Sequence, residues 1–162
     1  MLKSPENLGI IHFIGIGGIG MSGIAEILYQ SGYHVQGSDI NKSSNSDRLE
    51  KLGIKVFIGQ KKINVNNAKI IVISTAISET NEEYVAAKKM FLPIVHRSEM
   101  LGELMRLKQS IAVAGTHGKT TTTSLIAKMV EENGMDPTII NGGIISSLNS
   151  NARLGNGEWM VV

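Results

Sequence analysis

The 162-residue chain has no cysteine, which excludes a disulfide framework and any thiolate-based zinc site. It has 3 prolines, and no Pro/Ser-rich stretch separates one part of the chain from another. Aromatic residues are scarce, at 3 Phe, 3 Tyr and 1 Trp, too few for a stacking platform that reads single-stranded nucleic acid. Charge of one sign is also lacking: 16 Lys+Arg stand against 14 Asp+Glu, a net +2 with no basic block behind it. An electrostatic nucleic-acid footprint is therefore not expected. No apolar run approaches the roughly 18 residues of a membrane span, and the opening MLKSPENLG has no apolar signal core. These absences predict a soluble, cytoplasmic protein with no nucleic-acid partner and no membrane contact.

Glycine is what the chain has in excess. Its 18 glycines exceed the usual share of roughly 7%, and they cluster, which points to close backbone approaches rather than a flexible linker. Hydrophobic residues make up 42%, enough for a packed core. The length suits one domain, or one and a part.

Short apolar runs alternate with helix-period stretches. Residues 9–14, 33–38, 55–58, 69–74 and 93–95 read as strands; 21–31, 46–52, 80–90 and 97–107 read as helices. Residues 41–45 (NKSSN) read as a polar loop, and Thr80 with Glu83 reads as a capping box. This alternation predicts an α/β, doubly wound parallel sheet. A second unit then opens with a strand at 110–114, a loop at 115–121, a helix at 122–133 and a strand at 138–141 that Gly142 and Gly143 break. A further strand begins near Glu158. The pattern divides the chain at residues 107–109, giving units 1–107 and 108–162. The second unit has too few strands to close a core, so a fragment of a longer protein is expected. The alternative is a natural ending whose last strand lies at a sheet edge.

Two motifs carry chemistry. The first is Gly15-Ile16-Gly17-Gly18-Ile19-Gly20, between a strand and a helix. Glycine lets the backbone turn sharply and approach a diphosphate, and the helix start offers free N–H groups to the anion. Asp39 stands at the end of the second strand, where an acid either accepts from a ribose hydroxyl or caps the loop. The spacing indicates a nucleotide diphosphate and is also compatible with NAD. The second motif is Gly115-Thr116-His117-Gly118-Lys119-Thr120-Thr121. It departs from the general phosphate loop at its first glycine position, which is Val113. Its loop amides would wrap phosphate oxygens, Lys119 would place its charge at the β- and γ-phosphates, and the Thr120 hydroxyl would ligate Mg²⁺. His117 either contacts nucleotide or merely occupies the loop. His96 and Arg97 follow a strand's carboxyl end and are read as interface or surface residues, with substrate contact as the alternative. His12 and His34 are read as packed or edge residues.

Together, GIGGIGMSGIAEIL (15–28), STAI (74–77), HRSEMLGELMR (96–106), AGTHGKTTTT (114–123), DPTIINGG (136–143) and ARLG (152–155) resemble the Mur ligase family. The resemblance covers nearly the whole chain, and GTHGKT is the family's own form of the phosphate loop, so Val113 is no defect. It implies a Rossmann-like unit that holds a UDP-linked substrate, followed by the opening of a P-loop ATPase unit. It implies an ATP- and Mg²⁺-dependent reaction of peptidoglycan precursor synthesis, in which L-alanine joins UDP-N-acetylmuramate through an acyl phosphate. Under it, residues 115–121 bind ATP, Lys119 is catalytic, Thr120 holds the metal, and the 15–20 loop meets the UDP diphosphate. The family's acidic metal ligand, later histidine ligand and third domain are not in this chain, so the chain alone is expected to be inactive. Two rivals remain: a family member that attaches a tripeptide to the same sugar nucleotide, and a NAD-dependent oxidoreductase module that leaves GTHGKT unused.

Overall fold

Five short apolar strands, most of them ending at glycine or a small polar residue, assemble side by side. The computed structural model describes residues 5–145 and 150–162. A single turn, α1 (Pro5–Leu8), leads into β1 (Ile10–Ile14), α2 (Ile19–Gln30), β2 (Val35–Asp39), α3 (Ser44–Leu52) and β3 (Lys55–Ile58). A 3-10 turn (Lys62–Val65), β4 (Ala68–Ile73), α4 (Glu82–Lys89), β5 (Ile94–His96) and α5 (Arg97–Met105) complete the first sheet. Its strands are all parallel, in the order β3-β2-β1-β4-β5. The order reverses between β1 and β4, so the crevice where ligands bind in such sheets lies at the carboxyl ends of these two strands.

The second sheet comprises β6 (Gln109–Ile111), β7 (Thr138–Ile145), β8 (Ser150–Arg153) and β9 (Trp159–Val161), with α6 (Lys119–Glu132) between β6 and β7. The order is β6-β9-β7-β8, parallel except for the antiparallel β7–β8 pair. The predicted α/β class and parallel first sheet are both present.

Helix α2 sits at the centre. Residues Met21 through Leu28 are all buried, as expected for a helix covered on more than one side. Ile24, Ile27 and Leu28 pack with Ile11 and Phe13 of β1, and the same apolar cluster includes Ile140, Ala152 and Met160 of the second sheet. Burying each such side chain is worth about 1.5–3 kcal/mol. Gly23 permits the approach of β8, because a Cβ there would lie 2.6 Å from Asn151 Nδ2.

Several boundaries differ from the sequence reading, each for a local reason. Helix α3 begins inside the expected NKSSN loop, because Ser43 caps it reciprocally with Ser46. Helix α4 is capped by Asn81, not Thr80: Asn81 Oδ1 accepts from the amides of Glu83 and Tyr84 at 2.9 and 3.1 Å. Helix α6 starts at Lys119, three residues early, so the threonine run forms its first turn. Strand β7 runs through Gly142 and Gly143, which let it lie against α6: a Cβ on Gly143 would be 3.2 Å from Thr120 Cγ2. Strand β8 (SNAR) was not foreseen, since it carries no alternating apolar signal. Strand β9 lies between β6 and β7, inside the sheet and not at its edge.

Candidate functional site: two glycine-lined helix starts

The first helix start is held open by its own backbone. After β1, Gly15 takes φ +81, a conformation in which a Cβ is strained. The amides of Gly15 and Ile16 both donate to the Ser38 carbonyl, at 2.8 and 2.9 Å. The Gly17 amide donates to Asp39 Oδ2 at 2.8 Å, and its carbonyl accepts from Asn45 Nδ2 at 2.8 Å. A Cβ on Gly17 would come within 2.8 Å of both Asp39 Oδ2 and Ser43 Oγ, so only glycine fits. Gly18 caps α2 without any side-chain bond. Ile19 and Gly20 open the helix, where amides have no intrahelical acceptor. Free amides and the positive end of the helix dipole give this end the features of an anion cradle.

These bonds sort the residues of the first motif. Gly17, Gly18, Ile19 and Gly20 lie at the open end, and Gly15 makes the turn. Ile16 faces the other way: its side chain is fully buried and its amide is held by Ser38. Asp39 uses both carboxylate oxygens on backbone, Oδ2 on Gly17 and Oδ1 on the Ile40 amide at 2.8 Å. That is the loop-capping geometry, one of the two alternatives for this residue.

The second helix start is the phosphate loop. Gly115 and Gly118 take φ +156 and +78, and Gly118 caps α6 in the left-handed region. Gly115, Thr116, His117, Gly118, Lys119, Thr120 and Thr121 are all exposed. Lys119 Nζ donates to the loop's own carbonyls at Gly115 and, at 3.2 Å, Thr116. No hydrogen bond among the described residues engages the Thr120 hydroxyl, so it is free for a ligand. Its backbone carbonyl accepts from Asn141 Nδ2 at 3.1 Å. No group of three or more His, Cys, Asp or Glu among the described residues could hold a metal.

Beside the first helix start, and bordered by residues of β7 that pack against α6, lies a cavity of about 210 Å³. Gly20, Arg97, Ala112, Val113, Asn141 and Gly142 are among its lining residues. Arg97 reaches α2 itself, since a Cβ on Gly20 would be 2.8 Å from Arg97 Nη1. The sequence reading favoured an interface or surface role for Arg97; the structure has it exposed, beside the first helix start and in a cavity that residues of both units line. His96 caps α5: its Nδ1 accepts from the Ser98 amide at 3.3 Å, while Glu99 Oε2 accepts from the His96 amide at 2.8 Å.

Behind β1 and β2 sits a polar cluster that sequence reasoning missed. His12, Ser38 and Glu83 are fully buried, and Gln36 and Asn64 nearly so. Glu83 Oε2 accepts from Ser38 Oγ at 2.5 Å and His12 Nε2 at 3.3 Å, and Oε1 accepts from Asn64 Nδ2 at 2.6 Å. Gln36 Nε2, which can only donate, lies 3.1 Å from His12 Nδ1. The imidazole therefore accepts at Nδ1 and gives its Nε2 proton to Glu83. Because the Ser38 carbonyl holds Gly15 and Ile16, this cluster anchors the first loop from within. His34, in contrast, is exposed. The signal for Glu83 was its place in the first turn of α4, which the sequence reading interpreted only as a cap.

Residues 10–109 match the family described as Mur ligase family, catalytic domain. The chain is 57% identical, over 99% of its length, to a UDP-N-acetylmuramate–L-alanine ligase of Brucella anthropi, and 58% identical to one of Mesorhizobium japonicum. It spans about a third of those relatives, 34% in each case. The crystal structure of a UDP-N-acetylmuramate-alanine ligase of Thermotoga maritima superposes with a TM-score of 0.87 at 36% identity, covering 94% of this chain and 36% of that one. A UDP-N-acetylmuramate:L-alanyl-gamma-D-glutamyl-meso-diaminopimelate ligase of Neisseria meningitides also reaches 0.87, at 31% identity over 95% of this chain and 52% of that one.

Proposed function

Since this chain belongs to the Mur ligase family, we propose that it is the UDP-substrate unit (1–107) and the opening of the ATPase unit (108–162) of a ligase joining L-alanine to UDP-N-acetylmuramate. The observation that carries this reading is the pair of glycine-lined helix starts, one before α2 with Arg97 beside it and one before α6. Two anion cradles on separate sheets suit two different nucleotides. A NAD module would leave the phosphate loop without a purpose. Alanine is favoured over a tripeptide because the relatives at 57–58% identity are named alanine ligases, whereas the tripeptide ligase stands at 31%.

In this reading the amides at Ile19 and Gly20, with Arg97, hold the uridine diphosphate. The loop from Gly115 to Thr121 cradles the ATP phosphates. A muramyl carboxylate oxygen attacks the γ-phosphorus, and ADP leaves as the acyl phosphate forms. The amine of L-alanine then attacks the acyl carbon, loses a proton, and expels inorganic phosphate. Lys119 leaves its carbonyl partners and neutralises charge building on the γ-phosphoryl group. Mg²⁺, which the Thr120 hydroxyl would help to hold, would supply further charge neutralisation when bound. No helix among the described residues is long and apolar enough to cross a membrane, and soluble nucleotide substrates suit the cytoplasm.

Binding to the complete protein tests the proposal. UDP-N-acetylmuramate at a hundred times its Kd should stabilise the protein by about 2.7 kcal/mol, read as a thermal shift. Gly17→Ala, which pushes a methyl group into Asp39 and Ser43, should abolish most of that shift and spare the shift produced by ATP. A shift with NADH and none with the uridine sugar would overturn the reading.

A further inference from the structure

The two helix starts are also joined through the second sheet. On β8, Asn151 is 1% exposed, yet both polar atoms of its side chain are engaged. Its Nδ2 donates to the carbonyl of Ile19, the first residue of α2, at 2.6 Å, and lies 3.5 Å from the Asn141 carbonyl on β7. Its Oδ1 accepts from Arg48 Nη2 at 3.2 Å and lies 3.3 Å from Ser22 Oγ. Asn141 in turn donates through Nδ2 to the Thr120 carbonyl at 3.1 Å and to Ser124 Oγ at 3.0 Å, both in the first turns of α6. A continuous line of hydrogen bonds thus runs from the first turn of α2 to the first turn of α6.

This line is braced from behind. Arg48 on α3 donates through Nη1 to Glu26 Oε2 on α2 and, at 2.7 Å, to Ser150 Oγ on β8. Ser150 Oγ also lies 3.1 Å from Glu26 Oε2. Glu26 is 6% exposed, so its charge is desolvated and depends on these partners. Gly23 leaves the space that lets Asn151 reach the helix. The arrangement joins two helices of the first sheet's unit, α2 and α3, to the edge strand of the second, and through Asn141 it reaches the wall of the cavity.

We propose that Asn151 is a positioning residue that fixes the separation of the two anion cradles, with Arg48 and Glu26 bracing it. The proposal rests on the ligase reading. Phosphoryl transfer between ligands on separate units depends on their relative placement, and a misplacement near 1 Å is enough to cost about a hundredfold in rate. Binding of either ligand alone does not depend on it. Loss of the latch therefore lowers kcat and leaves the separate affinities in place, a split that a general loss of folding does not produce.

The test uses the complete ligase. In Asn151→Ala, calorimetric Kd values for UDP-N-acetylmuramate without ATP, and for a non-hydrolysable ATP analogue without the sugar, should each stay within about threefold of wild type. At saturating substrates kcat should fall about tenfold or more. Arg48→Lys keeps a cation on Glu26 but loses the second arm of the fork on Asn151, so it should give a smaller kcat loss with the same affinities. An unchanged kcat in Asn151→Ala, or a kcat loss matched by equal losses in both affinities, overturns the latch. Should Asn151→Ala not fold, Arg48→Lys decides: lower kcat at constant affinities supports the proposal, and wild-type kcat overturns it. A wild-type protein that binds no UDP-N-acetylmuramate overturns the ligase reading itself.

Discussion

Lys119→Ala is expected to lower the turnover of the complete ligase by roughly a hundredfold to a thousandfold, or ~3–4 kcal/mol of transition-state stabilisation. Lys119 is the first residue of α6 and is exposed, with its ammonium held against the Gly115 and Thr116 carbonyls. Those contacts place a point charge at the mouth of the loop that the proposed reading assigns to the ATP phosphates. In the transition state the transferring phosphoryl group carries spread negative charge, so the lysine is worth more there than in the ground state. Arginine should not restore the rate, because a planar fork does not fit where a compact ammonium sits between two carbonyls. Since Lys119 is exposed and bonds only to carbonyls of its own exposed loop, the variant should unfold at the wild-type urea concentration. Steady-state phosphate release, measured with a urea titration of the same sample, checks both halves. Turnover near wild type would remove Lys119 from the chemistry.

Both helix starts were legible because glycine patterns report backbone geometry directly. Gly15, Gly115 and Gly118 stand at positive φ, as a loop that must turn onto a helix requires. The parallel first sheet was legible from its apolar runs. What stayed hidden depends on contacts distant in sequence. Arg97 is one residue among many exposed cations until β5 brings it to Gly20. Asn151 lies in SNAR, a strand with no periodic signal, and acts through Ile19, far back in the chain. Helix starts moved for a related reason: Ser43 caps α3 ahead of its expected start, and Asn81 caps α4 in place of Thr80, each through local side-chain bonds to backbone amides. His12 reads as an ordinary strand residue, and only the fold shows that it meets Glu83.

Glu83→Ala is the substitution expected to destabilise the first unit most, by ~3–5 kcal/mol. Glu83 is fully buried and accepts hydrogen bonds from Ser38, Asn64 and His12. Alanine would leave three buried donors unpaired and a gap beside the 3-10 turn. Glu83→Gln keeps the shape and one acceptor oxygen. The Ser38 hydroxyl can turn to meet the new amide, but His12 cannot change tautomer freely while Gln36 donates to its Nδ1. The glutamine variant should therefore lose less, ~1–3 kcal/mol. The damage should also reach the first cradle selectively: the Ser38 carbonyl holds the Gly15 and Ile16 amides, so the affinity for UDP-N-acetylmuramate should fall while that for ATP stays. Urea midpoints of the first unfolding transition for wild type, Glu83→Gln and Glu83→Ala should decrease in that order. An alanine variant as stable as wild type would mean that water or rearranged partners replace the carboxylate, and that the cluster does not anchor the loop.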